Sequence, residues 1–66
     1  MKYLILIHQS NGSKMYYQYV DEGEVIYATV RREQGQKFPS IQAAGKEISL
    51  LPGSIEYVSK MEIVAE

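Results

Sequence analysis

Two glycine-containing turns divide the first half of the chain into three short segments of alternating apolar and polar residues. Asn11-Gly12 and Glu22-Gly23 each lie between apolar runs. A two-residue type I′ turn needs positive φ at both central residues, and Asn-Gly is among the pairs that supply it most readily. Alternation with a period of two residues is typical of half-buried strands. The sequence therefore predicts an antiparallel three-stranded meander.

The two turns also predict which residues share a face of the sheet. Two-residue loops place Leu6 opposite Tyr17, and Tyr17 opposite Ala28. The predicted core face then holds Leu4, Leu6, Met15, Tyr17, Tyr19, Ile26, Ala28 and Val30. The other face holds Tyr3, Ile5, Ile7, Tyr16, Gln18, Val20, Val25, Tyr27, Thr29 and Arg31. This second face is too apolar to be simply solvated, so we expect the chain itself, another subunit or a ligand to cover it.

The second half of the chain contains signals for a helical turn and further strands. Ser40 is a predicted N-cap and Gly45 a predicted C-terminal stop, which frame a single helical turn between them. Lys46–Leu51 is predicted to be a strand, followed by a turn at Pro52-Gly53.

The last strand is predicted from Ile55 onward. Met61 and Ile63 fall on one side of it, and Glu62 on the other. The segment is long for one straight strand, so we expect a bend near Ser59-Lys60.

These elements predict a mainly β fold in a single domain spanning residues 1–66. The expected architecture is a small antiparallel sheet or a partly open barrel of about five strands, with one short helical turn near residues 40–45. The segment Glu56-Tyr57-Val58 resembles the end of SH3 domains, and this resemblance implies an SH3-like topology. The acidic and tryptophan-bearing segments of that family's peptide groove are missing.

The small size of the chain favours self-association. With 66 residues and no cysteine, it cannot be cross-linked by disulfides, and His8 is its only good nitrogen ligand for zinc. A core of this size supplies only ~3–5 kcal/mol, and oligomerisation is the stabiliser that remains. We therefore expect a homo-oligomer, most simply a dimer. The apolar run Tyr3–Ile7 is too short for an export signal or a membrane span, so a cytoplasmic location without membrane association is expected.

No catalytic residue, metal or cofactor is predicted. His8 has no cysteine or Gly-x-Ser-x-Gly serine to act upon. Asp21, Glu22 and Glu24 lie together in one hairpin turn, which is typical of a solvated loop. The five glycines are scattered singly, so no phosphate-binding loop is present.

Tyrosine is the residue type that most suggests binding, because six of the seven aromatic residues are tyrosines. Tyrosine and arginine dominate the binding energy of protein interfaces. Arginine side chains also match phosphate and carboxylate groups. The predicted contact residues are Tyr3, Tyr16, Gln18, Tyr27, Arg31, Arg32, Lys37 and Phe38.

Two functions are consistent with these residues. The first is a non-enzymatic cytoplasmic interaction module that binds a protein partner and self-associates, such as the inhibitors and accessory proteins of phages and mobile elements. The alternative is a nucleotide or single-stranded nucleic-acid binder, in which tyrosines stack on bases while Arg31, Arg32 and Lys37 contact phosphate. The net charge of −1 argues against long nucleic acids but not against a small charged ligand.

Overall fold

A computed structural model describes residues 1–52 and 57–66 of the chain. The elements are the strands Tyr3–Gln9 (β1), Lys14–Asp21 (β2), Val25–Thr29 (β3) and Val58–Ala65 (β4), the helix Ile41–Ser49 (α1), and a 3₁₀ turn at Arg32–Gln34. The strands form one antiparallel sheet in the order β3-β2-β1-β4.

The prediction of a mainly β fold is confirmed at this level, as an open four-stranded sheet with one helix. An SH3-like barrel is not confirmed. Gly53 of the predicted Pro52-Gly53 turn, and Ile55 and Glu56 of the predicted last strand, lie outside the described residues. No described helix has the length and apolar content needed to cross a membrane.

The first hairpin has a three-residue loop, so the predicted register of β1 against β2 is wrong by one residue. Leu6 pairs with Tyr16 and not with Tyr17. The Gly12 amide donates to the Gln9 carbonyl at 3.0 Å, and Gly12 has a φ of 91°. A turn followed by a residue with positive φ is the usual form of a three-residue hairpin loop. Asn11 supports it by accepting hydrogen bonds from the amide (3.0 Å) and hydroxyl (2.6 Å) of Ser13.

An extra residue in β2 makes a second correction to the predicted faces. Tyr17 pairs with Ala28 as predicted, but Tyr19 pairs with Tyr27 and not with Ile26. Gln18 is the additional residue between these two pairs, and such a bulge reverses the alternation of the strand beyond it. Tyr19 therefore lies on the opposite face of the sheet from Tyr17.

Helix α1 packs on one face of the sheet, which we call the helix face. Its strand residues include Ile5 and Ile7, which are almost fully buried and pair with Ile63 and Met61 of β4. The buried core cluster consists of Ile5, Ile7, Tyr17, Phe38, Ala44 and Leu51. Ile5 and Ile7 thus form core, although the two-residue loop predicted them on the second face.

The helix begins as predicted but runs further. The Ser40 hydroxyl accepts a hydrogen bond from the Ala43 amide at 3.1 Å, as an N-cap does. The helix then passes through Gly45 and ends at Ser49, so the predicted strand at Lys46–Leu51 is wrong. The reason is tertiary packing: Ala44 is fully buried and Ile48, one turn later, packs against the same core. This burial outweighs the ~1 kcal/mol that glycine costs inside a helix.

The segment Gly35–Phe38 enters the sheet between the diverging ends of β1 and β2. Its Gln36 amide donates to the Tyr17 carbonyl at 2.9 Å. Tyr3 and Phe38 exchange two backbone hydrogen bonds of 2.9 and 2.8 Å. Leu4 points away from the helix face and is nevertheless fully buried, because this segment lies against it. The chain itself therefore covers part of the second face.

Strand β4 contains the predicted bend. Gln9 pairs with Val58 while His8 pairs with Lys60, which leaves Ser59 as an extra residue. The Ser59 hydroxyl donates to the His8 carbonyl at 3.1 Å. Beyond this bulge, Met61 and Ile63 pack on the core as predicted.

Candidate interaction surface

The sheet face opposite α1 carries Tyr16, Tyr19 and Tyr27, and we call it the tyrosine face. Tyr19 and Tyr27 are cross-strand partners whose rings stack with a centroid separation of 4.5 Å and an interplanar angle of 13°. Their side chains remain 52% and 41% exposed. The Gln18 bulge creates this pair, because without it Tyr19 would lie on the helix face.

Arg32 lies across the tyrosine face and is held by contacts within the chain. Its guanidinium carbon is 5.7 Å from the centroid of the Tyr16 ring. Its Nη1 is 3.4 Å from the Tyr16 hydroxyl, and its Nη2 donates to the Ala65 carbonyl. The side chain thus links the 3₁₀ turn to the end of β4, and part of its donor capacity is used there.

Of the other predicted contact residues, some lie at the surface and some pack in or against the core. Lys37 forms an ion pair of 3.0 Å with Glu66. Gln18 donates to the Gln34 carbonyl at 3.2 Å, and Arg31 is exposed. Tyr3 packs against the core from the helix face, and Phe38 is only 5% exposed within it. Phe38 is buried because its backbone pairs with Tyr3 inside the sheet, so its ring is not part of an exposed surface.

The structure therefore brings together four of the eight predicted contact residues, namely Tyr16, Gln18, Tyr27 and Arg32. Tyr3 and Phe38 lie on the other side of the sheet. Sequence reasoning placed Tyr19 in the core and so missed it. The predicted register paired Tyr19 with Ile26, and the bulge that aligns Tyr19 with Tyr27 instead has no clear signal in the sequence.

His8 takes part in a charged row across the tyrosine face. Lys14 of β2 and Lys60 of β4 are its cross-strand neighbours. The His8 Nε2 lies 2.8 Å from Glu62 Oε1. This hydrogen bond is the main cause that lowers the pKa of the Glu62 carboxyl, and the positive charges nearby act in the same direction. The described residues contain no group of three His, Asp or Glu side chains able to bind a metal.

Tyr17 and Glu47 form the main polar contact inside the core. The fully buried Tyr17 donates its hydroxyl proton to Glu47 Oε2 at 2.5 Å. Burial raises the pKa of the Tyr17 phenol, and the hydrogen bond and negative charge of Glu47 raise it further. The contact joins β2 to α1, which indicates a structural role for both groups.

The outer edge of β3 carries none of the charged residues or prolines that often protect a sheet edge. Its sequence, Val-Ile-Tyr-Ala-Thr, contains no charged residue and no proline. Lysines, prolines and bulges are the usual devices that prevent an edge from pairing with another strand. The opposite edge, β4, has Lys60, Glu62 and the Ser59 bulge. The two edges therefore differ in their capacity to accept a further strand.

A hollow of about 290 Å³ opens on the helix face beside this edge. It is lined by Ile7, Gln9, Met15, Ile26, Tyr27, Ala28 and Tyr57. The hollow lies over the β2–β3 side of the sheet, whereas α1 lies mainly over β1 and β4. The edge strand β3 is thus bordered by apolar surface on one face and by stacked tyrosines on the other.

Charges of opposite sign lie at the two ends of β3. The exposed residues Asp21, Glu22 and Glu24 precede the strand, and the exposed Arg31 and Arg32 follow it. No ion pair of the Arg31 side chain is found within residues 1–52 and 57–66. The strand is therefore acidic at its beginning and basic at its end.

Comparison with known proteins gives no relative: no family model, curated protein or solved structure matches this chain.

Proposed function

We propose that this protein is a non-enzymatic interaction module whose protein partner binds the tyrosine face. The observation that supports the proposal is the exposed Tyr19–Tyr27 pair, with ring centroids 4.5 Å apart. Stacked rings are rigid and amphipathic, so they add contact area at little entropic cost when a partner covers them. Exposed tyrosines of this kind are typical anchors of protein interfaces.

The charges around the pair favour a protein partner over a nucleotide or single-stranded nucleic acid. Asp21 pairs with Val25 at the same end of the hairpin, and Glu22 and Glu24 lie in the adjoining turn. Carboxylates beside a stacking surface oppose the approach of phosphate. Arg32 and Lys37, which the alternative assigns to phosphate, make contacts within the chain. The alternative retains Arg31 and the tyrosine rings as its support.

Site-specific photo-crosslinking in the source cells tests the proposal. A benzoylphenylalanine at position 19 or 27 is expected to give a discrete product heavier than two copies of the 7.5 kDa chain. The same group in place of Lys46, which is exposed on α1, is the matched control and should not give this product. Equal labelling at all three positions, or a product removed by nuclease, would contradict a protein partner on the tyrosine face.

A binding measurement tests the alternative directly. Purified protein is titrated at low salt into fluorescent single-stranded DNA, RNA and nucleoside triphosphates, followed by anisotropy. We expect no saturable binding. Two results together would establish the alternative instead. Binding would weaken steeply with added salt, and it would be lost in the variant Arg31→Ala or in the double variant Tyr19→Ala, Tyr27→Ala.

A further inference from the structure

We propose that a second copy of this chain binds the outer edge of β3 in antiparallel orientation, with Tyr27 at the centre of the pairing. This inference goes beyond the proposed function, because it uses the backbone edge of β3 and not the ring faces that a partner would cover. Edge strands present unpaired amides and carbonyls in a row, which is how one strand recruits another. β3 is the edge without charges, proline or bulge.

Charge complementarity identifies the second copy as the occupant. Pairing about Tyr27 places Val25 of one copy opposite Thr29 of the other, since antiparallel partners are equally distant from the centre. This register brings the Glu22–Glu24 turn, which precedes β3 in one copy, to the end of the paired strands at which β3 of the other copy is followed by Arg31. A parallel arrangement would instead set the acidic turns against each other. In an antiparallel dimer, the acidic residues that precede β3 in one copy therefore lie near the basic residues that follow β3 in the other. This contact occurs once at each end of the paired strands.

The apolar groups on the helix face fit the same arrangement. Ile26 of one copy would lie opposite Ala28 of the other, and both residues line the hollow of about 290 Å³ beside the edge. The second copy would therefore continue this apolar surface across the paired edge. On the opposite face, the two Tyr19–Tyr27 pairs would lie side by side and form one continuous surface of four rings.

Single cysteines test the register, because the natural chain contains none. Residues directly opposite in an antiparallel pair have Cα atoms about 4.5–5.5 Å apart, which suits a disulfide. Tyr27→Cys is therefore expected to form a disulfide-linked dimer under mild oxidation. Val25→Cys alone should not, since the two copies of position 25 are roughly 13 Å apart at about 3.4 Å per residue. A mixture of Val25→Cys and Thr29→Cys should cross-link to each other.

Charge variants test the orientation in the purified protein. Sedimentation should give about twice the 7.5 kDa of one chain at micromolar concentration. Arg31→Glu should raise the dimer dissociation constant by about 10-fold or more, because it sets acid against acid at both ends. The double variant Glu22→Arg, Glu24→Arg should raise the dimer dissociation constant in the same way. Mixing these two variants should restore association as a heterodimer. Lys46→Glu, on the exposed side of α1, is the control and should leave the constant unchanged.

Three results would overturn the proposal. The first is a monomer at all accessible concentrations, which would leave the edge to a strand from another protein. The second is a dimer in which Val25→Cys cross-links with itself as readily as Tyr27→Cys. The third is a dimer insensitive to Arg31→Glu. The photo-crosslinking test counts only products heavier than two copies of the 7.5 kDa chain, so a cross-link between two copies does not affect it. Failure of the self-pairing and failure of the proposed function therefore remain distinguishable.

Discussion

Tyr17 and Tyr19 are separated by one bulged residue, and that residue gives them opposite environments. Tyr17 is fully buried and donates to Glu47, while Tyr19 is half exposed and stacks on Tyr27. Regular alternation would place both rings on one face. Sequence reasoning therefore identified the buried ring at Tyr17 correctly and assigned Tyr19 to the wrong face. A bulge has no reliable signature in one sequence, because Gln18 is equally acceptable in a regular strand.

Replacing Tyr17 or Tyr19 with alanine should lower the unfolding free energy by different amounts. Tyr17→Ala is expected to cost ~3–5 kcal/mol of unfolding free energy, as for other fully buried large side chains. Tyr19→Ala should cost about 1 kcal/mol, the magnitude of an exposed cross-strand aromatic pair. Urea denaturation of both variants measures the difference. Equal costs would show that Tyr19 is core and that β2 has no bulge at Gln18.

The Tyr17 phenol should make the protein sensitive to alkali. Its pKa is raised in the folded state, whereas in the unfolded chain it ionises near pH 10. Above about pH 10 the unfolded state therefore binds fewer protons than the folded state, and the free energy of unfolding falls as the pH rises.

Tyr17→Phe removes this proton linkage and should show a smaller loss of stability at high pH. For each pH unit above the pKa of tyrosine in the unfolded chain, the unmodified protein should lose up to about 1.4 kcal/mol more unfolding free energy than Tyr17→Phe. Urea denaturation at about pH 9 and about pH 11, with the unmodified protein as control, measures it. Parallel losses in the two proteins would indicate that the Tyr17 hydroxyl is not buried against Glu47.

At the scale of elements, the local sequence predicted the structure around some glycines better than around others. Gly23 lies at the predicted turn with a φ of 71°, but Asp21 pairs with Val25, so the loop has three residues and not the predicted two. Gly45 was expected to end the helix, yet α1 continues for another turn. Local signals suffice where the backbone conformation itself requires glycine. They fail at Gly45, because the burial of Ala44 and Ile48 depends on a sheet whose strands are distant in sequence.

Among the four glycines that the structure describes, Gly35 should be the least tolerant of a side chain for reasons of space. A Cβ there would lie 2.9 Å from Tyr16 Cβ and 3.0 Å from Leu4 Cδ2. Gly35→Ala is therefore expected to destabilise the protein by about 1–3 kcal/mol through overpacking. Gly45→Ala is the matched control, because nothing lies within 4 Å of its added Cβ. It should stabilise the helix by about 0.5–1 kcal/mol. Thermal melts of the two variants should shift in opposite directions.

At the scale of the whole molecule, we expect the backbone amides of the four strands to differ in their protection from hydrogen exchange. β1 lies between β2 and β4, and Leu4, Ile5 and Ile7 are almost fully buried. Among the described strands, β3 pairs with β2 alone. Strands inside a sheet open mainly by global unfolding, whereas edge strands open locally.

Amide hydrogen exchange should therefore be slowest in β1 at every protein concentration. Exchange in β3 should be fast in dilute solution and slow down as the concentration rises, if β3 edges pair between copies. Arg31→Glu provides the control, since it should keep β3 exchange fast at high concentration. Protection of β3 that is independent of concentration would argue that its edge is already satisfied within one chain.

The pairing of β1 with β4 has a consequence for the order of events during synthesis. β1 pairs with β2 over only three residues, but with β4 along its whole length from Tyr3 to Gln9. Contacts between such distant segments form late, because a long loop must close first. On the ribosome, the β2–β3 hairpin can form while β4 is still inside the exit tunnel, with β1 incompletely paired beside it. We therefore expect nascent chains stalled before residue 58 to be protease-sensitive, and protection to arise only after the last strand has emerged.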